Sequence, residues 1–149
     1  MAIIMKLVVQ QVDYAKVLID NKLYNFINRG LLIFIGIHKN DDLENIQRLI
    51  KKILKLRIFT DQNNKMNLSV IDLNLSIMLV SQFTLYADIK KGNRPSFINT
   101  ADPNKAEKLY NLFIEELSQH DINLKTGKFG ANMKIELIND GPKTFILES

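Results

Sequence analysis

The run Leu31-Leu32-Ile33-Phe34-Ile35-Gly36-Ile37 constrains this chain more than any other segment. It is apolar throughout, rich in isoleucine, and follows a break at Arg29-Gly30. A half-exposed strand alternates in polarity, and an amphipathic helix repeats every three to four residues; this run does neither. It also falls far short of the ~18–20 apolar residues that cross a bilayer. What remains is a central strand buried on both faces. Such a strand needs further strands along its edges and a layer against each face, which the rest of the chain must supply.

The neighbouring segments read accordingly. Lys6 to Val12 and Lys16 to Ile19 look like two short strands, with a hairpin turn at Asn21-Lys22 leading into Leu23 to Ile27. Asp41, with Glu44 three residues on, is the expected cap of a helix over 42–56, whose apolar residues Leu43, Ile46, Leu49, Ile50, Ile53 and Leu54 keep helical spacing. Asp61 to Lys65 is a polar loop, Ser76 to Val80 a second apolar strand that Ser81 to Leu85 continues, and Ala87 to Thr100 an irregular stretch. Asp102 at the N-cap and Pro103 in the first turn open a second helix. Met133, Ile135 and Leu137 alternate as a half-exposed strand, Asn139-Asp140-Gly141-Pro142 reads as a sharp turn, and Thr144 to Leu147 as a final strand. With no repeat or linker in 149 residues, the expectation is one α/β domain over 1–149, a mixed sheet with two main helices.

The chemistry open to this chain is narrow. It has no cysteine, which removes thiolate metal sites, disulfides and cysteine nucleophiles. The start Met1-Ala2-Ile3-Ile4-Met5-Lys6 lacks the pattern of a secretory leader, so a soluble, cytoplasmic protein is expected. His38 and His120 have no partner at metal or triad spacing and read as surface or capping residues; no nucleophile elbow, phosphate loop or H-E-x-x-H motif occurs. The net charge of +4 lies wholly in residues 1–75 and gathers in Arg48, Lys51, Lys52, Lys55 and Arg57, with no acid among residues 48–57. That is either the solvated face of a helix or a surface for phosphates.

Two segments stand apart. Ser81-Gln82-Phe83-Thr84 sets three polar groups around an aromatic just past a buried strand, and Asn139-Asp140-Gly141-Pro142 holds a Gly-Pro bond. If cis, that bond aims two successive carbonyls the same way, as acceptors for an ammonium group; otherwise it is an ordinary turn. Together, Ser81-Gln82-Phe83-Thr84-Leu85 and Asn139-Asp140-Gly141-Pro142-x-Thr144 resemble the paired signatures of the D-aminoacyl-tRNA deacylases. The likeness runs on through Arg57-Ile58-Phe59, Lys65-Met66-Asn67-Leu68, Arg94-Pro95-Ser96-Phe97 and Gly127-Lys128-Phe129, over essentially the whole chain.

The resemblance implies a barrel-like deacylase-type fold and a homodimeric editing enzyme that frees tRNA from D-amino acids, and from mischarged glycine. Gly141 and Pro142 would enter the partner's pocket, bind the substrate amino group and exclude an L side chain. Ser81, Gln82, Phe83 and Thr84 would make up the catalytic segment, their backbone N–H groups facing the developing oxyanion and Phe83 stacking on the terminal adenine. Thr84 is taken as a positioning residue, with the tRNA's own 2′-hydroxyl assisting. Phe129, Gly130, Ala131, Met133 and Asn139 would complete the substrate site. No metal or organic cofactor is implied, and the partners are a second copy and the aminoacylated 3′ end of tRNA, with no membrane and no DNA. Two positions depart from the family's pattern: Gln11 stands where an Arg is usual and Lys143 where a Val is. Gln11 leaves open a deacylase that also accepts L-aminoacyl-tRNA; the basic helix leaves open a non-catalytic RNA-binding module.

Overall fold

The computed structural model describes residues 4–149; the leader reading at Met1 to Ile3 lies outside the described residues. One six-stranded sheet carries the fold, in the path order β2 (Lys22–Ile27), β1 (Lys6–Ile19), β3 (Gly30–Gly36), β6 (Ser76–Ser81) and β7 (Asn123–Thr126), with β8 (Met133–Glu148) on the remaining edge of β1. The apolar run forms β3 (Gly30–Gly36), antiparallel to β1 (Lys6–Ile19) and parallel to β6 (Ser76–Ser81), hence central as its composition demands. β7 (Asn123–Thr126), which the sequence reading missed, lies parallel to β6. Gly30 is set by close approach: a Cβ there would stand 2.0 Å from the Ser76 carbonyl oxygen, so only glycine lets β3 and β6 begin side by side.

Three expectations change. The two short N-terminal strands are one strand of 14 residues, β1, which pairs with β3 through its first half and with β2 (Lys22–Ile27) through its second. The hairpin turn falls one residue earlier, at Asp20 and Asn21, with φ of 53° and 61°. Those angles make a primed turn, which suits the twist of paired strands and which Asp and Asn tolerate. The C-terminal pair of strands is likewise one, β8 (Met133–Glu148), antiparallel to the whole length of β1. Asn139 to Pro142 therefore does not reverse the chain. Gln10 pairs with Thr144 and Val12 with Asn139, so residues 140–143 loop out opposite the single residue Gln11 as a bulge.

The first helix, α1 (Leu43–Lys55), starts one residue later than expected. Asp42, not Asp41, is the N-cap: its carboxylate accepts from the Asn45 amide at 3.2 Å while the Asn45 side chain accepts from the Asp42 amide at 2.9 Å. Asp41 is buried instead, accepting from the His38 amide at 2.6 Å, and burial pushes its carboxyl up to about 6. His38 is buried too rather than on the surface. Its Nδ1 accepts from the Asn40 amide, and burial lowers its pKa, helped by Lys39 and Lys105. The second helix, α2 (Pro103–Ser118), begins as read, with the Asp102 carboxylate accepting from the Lys105 amide. A short hairpin, β4 (Phe59–Thr60) with β5 (Met66–Leu68), flanks the polar loop at residues 61–65.

Both helices pack on one face of the sheet over Leu7, Leu31, Ile33, Ile46, Ile53 and Phe113, all at most 1% exposed. Each such side chain contributes about 1.5–3 kcal/mol on burial. The opposite face curls around a second cluster of Val12, Val17, Leu32, Met78 and Val80, covered by Met133, Ile135 and Leu137 of β8. The curl nearly closes: the Asn25 side-chain amide of β2 donates to the Thr126 carbonyl of β7 at 2.9 Å.

Candidate functional site

The parallel strands β3, β6 and β7 all end on the same side, and a crevice beyond the carboxyl ends of such strands is where α/β sheets place ligands. A cavity of about 440 Å³ opens there. Ile37 beyond β3, Ser81 at the end of β6 and the 129–133 loop after β7 line it, together with Pro103 and Ala106 in the first turns of α2. The N-terminus of α2 brings the positive end of its dipole to this wall. Tyr110, 2% exposed, braces the floor from α2: its hydroxyl donates to the Leu79 carbonyl at 2.9 Å, and its ring lies 5.9 Å from that of Phe129.

Most of the expected residues meet in this cavity. Ser81, Gln82 and Phe83 line one side and Phe129, Gly130, Ala131 and Met133 the other. Phe83 is 54% exposed and its ring is propped by Phe97, 5.1 Å away and tilted by 55°. β6 stops at Ser81, and a single 3-10 turn, Phe83–Tyr86, follows. The Gln82 amide is taken by the Ile35 carbonyl at 2.7 Å and cannot face a substrate. The Phe83 amide, first in the turn, donates to no group among the described residues. Thr84 does not line the cavity; its hydroxyl accepts from the Gln82 side-chain amide. Among the described residues no Asp, Glu, His, Lys or Arg lines the cavity, so its polar side chains are Ser81, Gln82, Thr100 and Asn132.

Asn139, Gly141 and Pro142 are elsewhere. None lines the cavity of its own chain, and Gly141 and Pro142 are exposed. The Gly141-Pro142 bond is cis. Gly141 has φ +113°, a conformation open to glycine and costly for any other residue. Asn139 is committed to the base of the bulge: its side-chain Nδ2 donates to the Gln11 carbonyl at 2.9 Å and the Lys143 carbonyl at 3.0 Å. Gln11 is 3% exposed and its Nε2 donates to the Asp140 carboxylate at 2.9 Å, while its Oε1 has no partner among the described residues.

The family profile described as D-Tyr-tRNA(Tyr) deacylase matches residues 8–148. The chain belongs to this family. It is 49% identical to a D-aminoacyl-tRNA deacylase of Fusobacterium nucleatum subsp. nucleatum over 145 residues, 97% of this chain and 96% of that protein. It is 50% identical to one of Finegoldia magna, over 97% and 98%. A solved structure described as c-Myc DNA Unwinding Element Binding Protein superposes with a TM-score of 0.91 at 39% identity, covering 97% of this chain and 98% of that one. A probable eukaryotic D-amino acid tRNA deacylase shares the fold, with a TM-score of 0.79 at 17% identity.

Two further features of this deacylase-family chain bear on its site. The basic residues Arg48, Lys51, Lys52, Lys55 and Arg57 surround one shallow concavity on α1 and the segment after it. Two of the five are already engaged, Arg48 with Glu44 at 3.5 Å and Arg57 with the Asn67 carbonyl at 2.8 Å. Among the described residues no helix is long and apolar enough to cross a membrane. Sequence reasoning missed Thr100, Ala101 and Ala106 as cavity walls, although the Asp102-Pro103 signal that fixes the start of α2 places its first turn beside them.

Proposed function

We propose that this chain hydrolyses the ester between a D-amino acid and the terminal adenosine of tRNA, and clears mischarged glycine in the same way. Water adds to the ester carbonyl, the bond to the ribose oxygen breaks, and the tRNA hydroxyl and the free amino acid leave. The observation that carries this reading is a cavity that bears the family's segments and that, among the described residues, no titratable side chain lines. An aminoacyl ester is already activated, so hydrolysis there needs charge stabilisation more than a strong base. The free Phe83 amide and the positive end of α2 are suited to a developing oxyanion. The proton passes through the tRNA's own 2′-hydroxyl, with Ser81 and Gln82 as positioning groups. Phe83, braced by Phe97, offers its exposed face to the terminal adenine.

The functional unit is a homodimer. Gly141 and Pro142 stand outside their own cavity yet are exposed on a bulge, an arrangement suited to completing the pocket of a second copy. There the bulge accepts the substrate amino group through its carbonyls and blocks an L side chain. Glycine has no side chain to block. Residues 1–149 act as one domain, in the cytoplasm, where tRNA is charged. Purified protein incubated with D-Tyr-tRNA, L-Tyr-tRNA and Gly-tRNA is expected to clear the first and third and spare the second. Clearance of all three at one rate would leave a deacylase without chiral selection; clearance of none would leave a tRNA-binding module.

A further inference from the structure

The bulge at residues 140–143 is fastened on two sides, and the two fastenings differ in kind. On one side Gln11, Asn139 and Thr144 hold its base to β1: Gln11 Nε2 to Asp140, Asn139 Nδ2 to the Gln11 and Lys143 carbonyls, and Thr144 Oγ1 to Asn139 Oδ1 at 3.1 Å. These bonds fix where the bulge leaves the sheet. They do not reach Gly141 or Pro142, at its tip.

The other fastening is one ammonium group. Lys143 Nζ donates to the Ile58 carbonyl and to Thr60 Oγ1, each at 2.8 Å. On the way its stem passes directly over Gly141. A Cβ on that glycine would stand 2.9 Å from Lys143 Cγ and 3.6 Å from Cδ, so the stem fills the space a side chain would need. The far end of the tether is firm. Ile58 and Phe59 are 4% and 0% exposed, the Arg29 guanidinium lies 5.5 Å from the centre of the Phe59 ring, and Arg57 is bound to Asn67 across the 61–65 loop. A lysine free on the surface samples many rotamers; this one is held by two charge-assisted bonds, one to the carbonyl of buried Ile58 and one to the exposed Thr60 hydroxyl.

We propose that Lys143 is a positioning residue for chiral selection: its bonds to Ile58 and Thr60 fix how far the Gly141-Pro142 tip stands out from the sheet. This rests on the hydrolase reading. Rejecting an L side chain by steric clash requires an obstacle that does not yield, whereas accepting a D side chain does not. Loosening the tip therefore falls mainly on discrimination. A general loss of structure would lower turnover of both substrates together.

The test compares Lys143→Met, which keeps the stem and loses the ammonium, Lys143→Arg, which keeps a donor, and Thr60→Val, which removes one acceptor far from the tip. The readouts are kcat/KM for D-Tyr-tRNA and L-Tyr-tRNA and the exchange rate of the Gly141 amide. Lys143→Met is expected to narrow the D-over-L ratio by about tenfold, chiefly by faster loss of the L ester, and to speed Gly141 exchange. Thr60→Val should move both readouts the same way by less, and Lys143→Arg should restore the ratio to within about threefold. A wild-type protein that hydrolyses neither ester overturns the hydrolase reading and the selective role with it. An active wild type whose D-over-L ratio is left unchanged by Lys143→Met and by Thr60→Val overturns the role of Lys143 alone.

Discussion

If each pocket is completed by the other copy's bulge, two impaired variants should rescue one another. Ala131→Trp puts an indole into a cavity of about 440 Å³ that Ala131 helps to line. Gly141→Ala acts on the bulge, where φ is +113° and the new Cβ would stand 2.9 Å from Lys143 Cγ and 3.2 Å from the Lys143 amide nitrogen. Holding a non-glycine residue there costs about 1–3 kcal/mol. Domains of this size have about 5–15 kcal/mol of stability, so the bulge shifts while the fold survives. Expressed wholly in the transition state, the same cost slows turnover by roughly 5- to 150-fold. Each variant alone is therefore expected to fold and to deacylate D-Tyr-tRNA poorly. In a symmetric dimer formed at random from equal parts, about half the molecules are mixed, and each mixed molecule has one site with both substitutions and one with neither. The co-expressed pair should recover about one quarter of wild-type turnover, and doubly tagged mixed dimers about one half. A mixture no more active than the sum of its parents would refute the shared site, as would a fully active monomer in sedimentation.

Three further outcomes follow from particular residues. Thr84→Ala should keep turnover within about tenfold of wild type, because its hydroxyl lies outside the cavity and bonds Gln82; loss of all turnover with tRNA binding intact would make Thr84 the nucleophile. Reversing Arg48, Lys51, Lys52 and Lys55 to Glu should weaken tRNA binding and flatten its salt dependence, by about 0.9 in slope for each duplex phosphate no longer neutralised, with Arg48 contributing least because it already pairs with Glu44. An unchanged slope would return these residues to the role of a solvated helix face. For Asp41, whose folded pKa is raised to about 6, the folded state holds the proton more tightly than the unfolded chain. Its contribution to stability is present below about pH 4 and lost as pH rises through about 6, a change of up to about 3 kcal/mol. Asp41→Asn should therefore gain on the wild type between pH 4.5 and 7.5 in urea denaturation; parallel profiles would show that Asp41 does not titrate in this range.

Much of what depends on local pattern was legible in the sequence, though the short strand β7 was not. The apolar run before Ile37 became β3, covered on both faces, because continuous apolarity excludes a solvent-facing side. Asp102-Pro103 fixed the start of α2. The site residues came instead from the likeness to a family, and seven of those eleven fall on the wall of one cavity. The cap of α1 was misplaced by one residue because Asp41 and Asp42 are equally good caps locally. Which one turns inward depends on the amide of His38, outside the helix.

The larger misreading, a turn at Asn139 to Pro142, has the same origin and bears on function. Asn-Asp-Gly-Pro carries every local sign of chain reversal, and β8 nevertheless runs straight through it. The cause lies on β1: a 14-residue strand pairs on both sides of the interruption, from Lys6↔Glu148 to Gln10↔Thr144 and again from Val12↔Asn139 to Ile19↔Met133. Those pairings outweigh the turn tendency of four residues, so the turn chemistry is expressed as a bulge instead. A true turn would point its tip along the strand axis, past the end of the sheet. A bulge points its tip sideways, from the middle of a long strand, with Gln11 behind it and Lys143 bracing it against Ile58 and Thr60. Continuity of β8 holds the Gly-Pro tip on both sides, which is the rigidity that the proposed steric exclusion requires. Selection by steric exclusion needs that rigidity more than it needs any particular side chain at the tip.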